Sequence, residues 1–430
     1  MIFRYWPAGV RSTKIWAFNW GPDVSVRSGT VLDLRRANRS ALIRALYFNP
    51  QASRQELGAA TGLSAASISN VVTDLMDDGL VIEAGAVSSD GGRPRTLLRV
   101  NPEFGYVIGV DIGETRIRVE LFPLTLGPPL AATETLLEPA HHEIDLTVRD
   151  LVTNLEDVMV TAGIFEADLI GIGIGVSGIV EQGAEVLVHG QTFAWDAVPL
   201  ERLLRKAGIT APIFIDNGAA NLGQAENWFG ASRGARHAIV TLIGSGVGAS
   251  VITDGSRYRG ATSSAGEWGH IPIAVGGRRC RCGARGCLEA YLGAEAILAR
   301  YHESQPDQVI NTGQQETDLA ELLARRDTDP AAGQTLAETT NYLGAGIASL
   351  INLFNPQRII IGGWAGTLLC AQFLPQIRAA AADHALRQPF AQTSIEQCTL
   401  GEHALALGAA TLPVELLLST TRRPARSTSR

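Results

Sequence analysis

Long apolar runs are missing from this 430-residue chain. The best stretch, Leu169 to Val180, has glycine at alternate positions and is broken by Ser177. It falls short of the run of about eighteen apolar residues that crosses a bilayer, so no transmembrane helix is expected. The first twenty residues set Arg4, Arg11 and Lys14 among aromatics without an apolar core, so no secretion signal is expected. Cysteine is scarce: there are five, three of them within eight residues. That is not the framework of a secreted disulfide scaffold, and a cytoplasmic protein is expected. Charged residues make up 18% against 46% hydrophobic, a globular composition and not a disordered one. Lysine is nearly absent, and the basic residues are almost all arginine.

The length exceeds what one hydrophobic core serves, so more than one domain is expected. Charge is unevenly divided. Residues 1–100 carry 12 Lys/Arg against 8 Asp/Glu, whereas the rest carries 24 against 35. A mildly basic head on an acidic body suits a nucleic-acid-binding module joined to something else, although charge alone also permits chance.

Residues 1–30 show no sustained period and read as a poorly ordered extension. From Val31 the pattern is helical, with Leu32, Leu42, Ile43, Leu46 and Tyr47 as its apolar stripe, and it ends at Asn49-Pro50. Ser53 to Glu56 forms a capping box opening a short helix, and Thr61-Gly62-Leu63 is a turn. Ser64 then caps a longer helix in which Ile68, Val71, Val72, Leu75 and Met76 recur at helical spacing. Two strands, Leu80–Ala84 and Thr96–Val100, flank a turn at Ser88–Gly92. This order is that of a winged helix-turn-helix, expected over 31–100, whose helix after the turn enters the major groove of DNA. Ser64, Ala65, Ala66, Ser67, Ser69 and Asn70 are the candidate DNA-contacting positions on it, with Arg93 and Arg95 at the wing tip. The competing use of such a module is protein contact. A Gly-Gly-Arg-Pro tip, with its arginine held between glycines and proline, argues for DNA.

From Asn101-Pro102 strands and helices alternate, so residues 101–420 read as an α/β body of two lobes, followed by an Arg/Ser/Thr tail over 421–430 expected to be disordered. Its sharpest motif is His270-x9-Cys280-x-Cys282-x4-Cys287. Three thiolates and an imidazole complete the tetrahedral shell of a structural Zn²⁺ and leave no open position for catalysis. A disulfide or buried free thiols are the other readings of these cysteines. Glu267 and Glu289 flank the motif. If the ion holds one ring nitrogen of His270, the other can donate to a hydroxyl, and two carboxylates beside it suit a polyhydroxylated ligand. Taken alone, each glutamate could equally be a surface carboxylate. Three glycine-rich turns follow strands: Asp111-Ile-Gly-Glu-Thr115, Gly244-Ser-Gly-Val-Gly248 and Ile361-Gly-Gly363. Such turns can present backbone N–H groups to phosphate.

From about residue 32 onward the chain resembles the ROK family (repressors, uncharacterised frames and sugar kinases), in its repressor branch. The resemblance rests on Glu267-Trp-Gly-His270, the cysteine spacing with Cys287-Leu-Glu289, and the Gly-Gly-Arg-Pro wing. It implies an actin/hexokinase-like ATPase fold of two lobes with a sugar between them, a zinc loop, and a homodimer or homotetramer. It also implies that Asn217, Glu267, His270 and Glu289 are sugar ligands. Two departures accompany it. In family kinases an Asp-x-Gly-Gly-Thr turn binds ATP phosphate. Here Asp111, Gly113 and Thr115 match, but Glu114 replaces the second glycine. The kinases' catalytic aspartate falls on Gly218 of the stretch Asp216-Asn217-Gly218-Ala219-Ala220. Gly244, Gly246 and Gly248 persist, so the phosphate turns read as vestigial. The expected protein is a DNA-binding, sugar-controlled transcriptional repressor with a catalytically inactive kinase-like domain. An ATP-dependent sugar kinase, and a regulator sensing a protein instead of a sugar, are the alternatives.

Overall fold

The computed structural model describes residues 31–87, 94–137 and 143–421. The proposed extension over 1–30, the turn at Ser88–Gly92, Arg93 and the tail beyond Thr421 lie outside the described residues. The chain divides into two units. One comprises the residues before Gly105 together with the end of the last helix from Leu418; the other is Gly105–Leu417.

The first unit has helices Val31–Phe48, Arg54–Thr61 and Ala65–Asp77 and a small sheet in the order Ala52–Ser53, Arg95–Val100, Val81–Val87. Local chemistry sets its boundaries. Ser53 and Glu56 form the reciprocal capping box, Gly62 ends that helix in the left-handed region, and the Ser64 hydroxyl accepts the Ser67 N–H. Leu42, Ile43, Leu46, Leu57, Ile68, Val72, Leu75 and Leu98 close a common core, each almost wholly buried. The short strand Ala52–Ser53 is an addition to the elements legible in the sequence; it pairs with Leu97 and Leu98. Arg95, expected at the wing tip, opens the returning strand opposite Val87.

The second unit contains two five-stranded sheets. One runs in the order Ile213–Asn217, Leu169–Val176, Tyr106–Ile112, Arg116–Pro123, Ala131–Leu136, with its first three strands parallel. The other runs Ser256–Arg257, Val247–Thr253, Ala238–Ile243, Arg358–Gly362, Ser394–Gln397. Each sheet has its own apolar core, one around Ile108, Ile172 and Leu155 and one around Ile239, Ile347 and Ile359. The alternating glycines of Leu169–Val176 now have a reason. A Cβ at Gly109 or Gly173 would collide with the carbonyl oxygens of Ala406 and Ala409, so the last helix lies directly on the strand backbones. That helix is the exception to the expectation of no membrane-length segment. Gly401–Thr420 is long and apolar enough by length and composition, but 61% of the window is buried inside the fold. Thr411 and Glu415 interrupt it in sequence, and a helix apolar on most sides is one that packs in a core.

Candidate functional site

The loop from Glu267 to His270 is held flat against strand Val247–Thr253: Ala249 donates its N–H to the Gly266 carbonyl at 2.9 Å. Trp268 is buried, and its indole N–H donates to the Gly346 carbonyl at 3.1 Å. This anchoring brings His270 to the three cysteines. One ligand atom from each of His270, Cys280, Cys282 and Cys287 lies within 4.8 Å of the others. A Zn–S bond of about 2.3 Å in a tetrahedron separates two sulfurs by about 3.8 Å, and sulfur from imidazole nitrogen by about 3.6 Å. Cys282 and Cys287 sulfurs are 3.7 Å apart, and Cys280 Sγ is 3.8 Å from His270 Nδ1. The set fits a soft, tetrahedral divalent ion. Burial pushes the Cys280 thiol up to about 12 and raises that of Cys287. A metal ion bound here would therefore displace protons, and its charge would make buried thiolates tolerable.

Between two of those cysteines stands a residue that sequence reasoning passed over. Arg281 donates to both oxygens of Glu114, at 2.7 and 2.9 Å, to Thr192 Oγ1 at 2.7 Å, and to Glu289 Oε1 at 3.1 Å. Burial alone would push its guanidinium down; Glu114 and Glu289 outweigh that and hold it above its ordinary value. The side chains of Glu114 and Glu289 are only 8% and 9% exposed, so this is a shielded network and not a surface pair. It ties the turn after strand Tyr106–Ile112 to the metal loop. It also covers the second glycine turn: a Cβ on Gly246 would sit 3.0 Å from the Arg281 guanidinium and 3.4 Å from both carboxylates. Three N–H groups of these turns are engaged within the chain. Gly113 donates to Arg116 O at 2.9 Å, Gly244 to Gly246 O at 2.9 Å, and Val247 to Glu289 Oε2 at 3.0 Å. Burial pushes the Asp111 carboxyl up to about 7 against the pull of Arg116 and Arg118. Glu289, expected as a sugar ligand, is thus already engaged by Arg281 and by backbone.

Asn217 and Glu267 line one small pocket, together with Ala220, Ser250, Arg257, Tyr258, Arg259, Ser263 and Ser264. Asn217 is also the N-cap of helix Gly218–Phe229: its carbonyl oxygen accepts the N–H of Ala219 at 2.8 Å, and its amide donates to Gly178 O at 2.6 Å. Burial raises the Glu267 carboxyl, and the nearby Glu289 adds to that while His270 opposes it. Gly218 presents no side chain, and a Cβ there would find only Leu405 Cδ2 and Val176 O, both at 3.8 Å. Missing from the sequence reading were Arg281, Thr192, Asp216, Arg257 and Arg259. The arginines were visible as Arg257-Tyr-Arg259 and Cys280-Arg-Cys282, but their partners come from distant segments.

The sequence profile of the ROK family matches residues 107–415. This chain belongs to the ROK family. It is 28% identical to the "Putative xylose repressor" of Caldicellulosiruptor sp. (strain Rt8B.4) over 392 residues, 90% of this chain and 97% of that relative. A crystal structure of a ROK family transcriptional regulator, described as a homologue of the E. coli MLC protein, superposes with a TM-score of 0.72 at 26% identity. It covers 90% of this chain and 97% of that one. A ROK glucokinase from Streptomyces griseus, solved with glucose and AMPPNP, superposes at 0.60 with 27% identity, covering 72% of this chain and 99% of its own. The α/β fold is therefore that of both ROK regulators and ROK kinases. The residues before 107 lie outside the ROK profile.

In that preceding part, Ala65, Ala66, Ser69 and Asn70 are exposed on helix Ala65–Asp77, and Ser67 is half-buried. The opposite face carries Ile68, Val71, Val72 and Leu75 into the core. Arg35 and Arg39 of the first helix are paired with Asp74 and Asp78, each at 2.5 Å. Arg95 is exposed and reaches Gln55 at 3.4 Å.

Proposed function

We propose that this ROK protein is a sugar-responsive, DNA-binding transcriptional repressor of the cytoplasm, acting as a homodimer or homotetramer. Its N-terminal part over 31–100 is read as a winged helix-turn-helix. Ser64, Ala65, Ala66, Ser67, Ser69 and Asn70 would approach base edges, and Arg93 and Arg95 would approach the groove beside them. The body over 101–420 would be the actin/hexokinase-like sensor, holding the sugar through Asn217, Glu267, His270 and Glu289.

One observation carries the reading. The side of the cleft that would hold sugar keeps its polar groups, while the side that would hold ATP does not keep its chemistry. Position 218 has no carboxylate to take a hydroxyl proton, and Arg281 with Glu114 fills the space over Gly246. A positioned general base is worth on the order of 10² to 10⁴ in rate, so its loss leaves a body suited to hold a sugar without consuming it. The His270–Cys287 cluster would carry structural Zn²⁺, which supplies the charge that fixes the loop and the tautomer of His270. His270 would then present its remaining ring nitrogen to a sugar hydroxyl.

Coupling to DNA is a population shift. Two recognition helices of a dimer must match half-sites about 34 Å apart, so small rotations change the fit. A preference of about 3 kcal/mol for one arrangement changes operator occupancy about a hundredfold. The test is a gel shift on the promoter beside its own gene, with a panel of sugars. A retarded band whose intensity changes with one sugar is expected. The absence of any band with neighbouring DNA overturns the reading.

A further inference from the structure

The two sheets of the body, each with its own core, are joined in two different ways. One joint is close-packed. Helix Gly218–Phe229 follows a strand of the first sheet, yet its Leu222 shares a core with Val240 and Ile360 of the second. From that helix Asn221 lies against the first sheet. A Cβ on Gly175 would stand 2.7 Å from the Asn221 amide nitrogen, and one on Gly408 of the last helix would collide with the Asn221 carbonyl. The other joint is made by charges. Glu114, on the turn after strand Tyr106–Ile112, pairs with Arg281, which also donates to Thr192. Thr192 precedes Phe193 and Trp195 of the first core, whereas Arg281 is on a loop whose Leu288 lies in the second. Two positions beyond Glu114, Arg116 pairs with Glu316 of helix Gln315–Ala324, whose Leu319 and Leu322 also lie in the second core. A single turn thus sends one acid and one base across, and each meets the opposite sign.

We propose that these two pairs are an interlobe latch, which holds the lobes at the angle seen here and lets them swing about the Asn221–Gly175 contact when its charges are screened or removed. Reciprocal signs make the latch specific to one register, because a slip that brought Glu114 to Glu316 would set like charges together. The two pairs differ in strength. The Glu114 side chain is 8% exposed and forms two parallel bonds to its guanidinium, whereas that of Glu316 is 42% exposed and open to screening. Arg281 stands between Cys280 and Cys282, so the stronger pair is anchored on the metal loop. The latch would set the starting point of any ligand-driven change in lobe angle. That use of it rests on the sugar-responsive reading above, but the latch itself does not.

The experiment uses the full chain as purified, with neither sugar nor DNA present. Hydrogen exchange and small-angle X-ray scattering are compared for the native chain, Glu114→Gln, Glu316→Gln and the double variant. Each is measured in about 0.05 M and about 1 M sodium chloride, where the screening length falls to about 3 Å. In low salt the amides of residues 111–116 and 190–193 are expected to exchange about tenfold faster in the double variant than in the native chain. Its radius of gyration is expected to rise, with Glu114→Gln giving the larger share of both changes. High salt is expected to move the native chain toward the double variant and to leave the double variant where it was. Unchanged exchange in strand Leu169–Val176 checks that the variants are folded. Native-like exchange at both segments in the double variant overturns the latch. Faster exchange at a constant radius of gyration overturns it too, since that is the mark of a brace that holds only its own loops. An equal response to salt in the native chain and the double variant shows that charge is not what holds the lobes. Each of these failures leaves the repressor reading standing, and a failed gel shift leaves the latch standing.

Discussion

Restoring an aspartate at position 218 separates the two departures from kinase chemistry. Gly218 is the first residue of helix Gly218–Phe229, just after its Asn217 cap. A Cβ added there meets nothing closer than 3.8 Å, an ordinary van der Waals contact. A carboxylate in the first turn also lies at the favourable end of the helix dipole, worth about 0.3–1 kcal/mol. Gly218→Asp should therefore fold with an unchanged or slightly raised melting temperature. It should restore a positioned base whose usual worth, on the order of 10² to 10⁴ in rate, corresponds to about 3–5 kcal/mol of barrier. Yet the single variant should remain inactive. Arg281, Glu114 and Glu289 still cover Gly246, and the Gly113 and Gly244 N–H groups are still bonded within the chain. Only Gly218→Asp combined with Glu114→Gly and Arg281→Gly should reopen the turn to nucleotide phosphate. The assay is coupled ADP release with hexoses and N-acetylhexosamines. Turnover near 1 s⁻¹ by the single variant, at the lower end of ordinary enzyme rates, would refute the reasoning by showing that only the base was lacking.

Three further outcomes are expected. Cys282→Ser should lose zinc and ligand response together while DNA binding persists; elemental analysis that still finds one zinc per chain would show the ligand set to be wrong. Arg281→Met leaves Glu114 and Glu289 facing each other without their shared cation, and should lower stability by about 1–3 kcal/mol, read as a lower urea midpoint. His403 titrates above its ordinary value because it hydrogen-bonds Glu120, which is fully buried, at 2.7 Å, although its own partial burial opposes this. Stability from that contact is complete below the ordinary histidine value and is lost as pH rises through the folded one. The melting temperature should accordingly fall more steeply between pH 6 and pH 9 in the native chain than in His403→Asn, and parallel curves would exclude this contact as the cause.

What the sequence determined by itself was local. Ser53 with Glu56, and Ser64 with Ser67, satisfy N–H groups one turn away, so helix starts could be read from neighbouring letters. The alternating strand of residues 169–176 and the His-Cys-Cys-Cys spacing were likewise contained in short windows, because a pleat has a period of two and a tetrahedral ion needs ligands within a few ångströms. The family's signature at Glu267–His270 could be read for the same reason.

Tertiary structure decided everything that depends on partners far apart in the chain. Arg281 meets Glu114 across 167 positions, and Arg257 meets Asp216 across 41. No periodicity encodes such pairs, and a charge in the sequence looks alike whether it faces water or a buried acid. Asn217 and Glu289 could be picked out as polar residues near a motif, but their engagement with a helix cap and with Arg281 exists only once strands and loops converge. The final helix shows the same limit. Whether an apolar helix of membrane length lies in lipid or on a glycine-lined sheet is settled by what packs against it, here the backbones at Gly109 and Gly173.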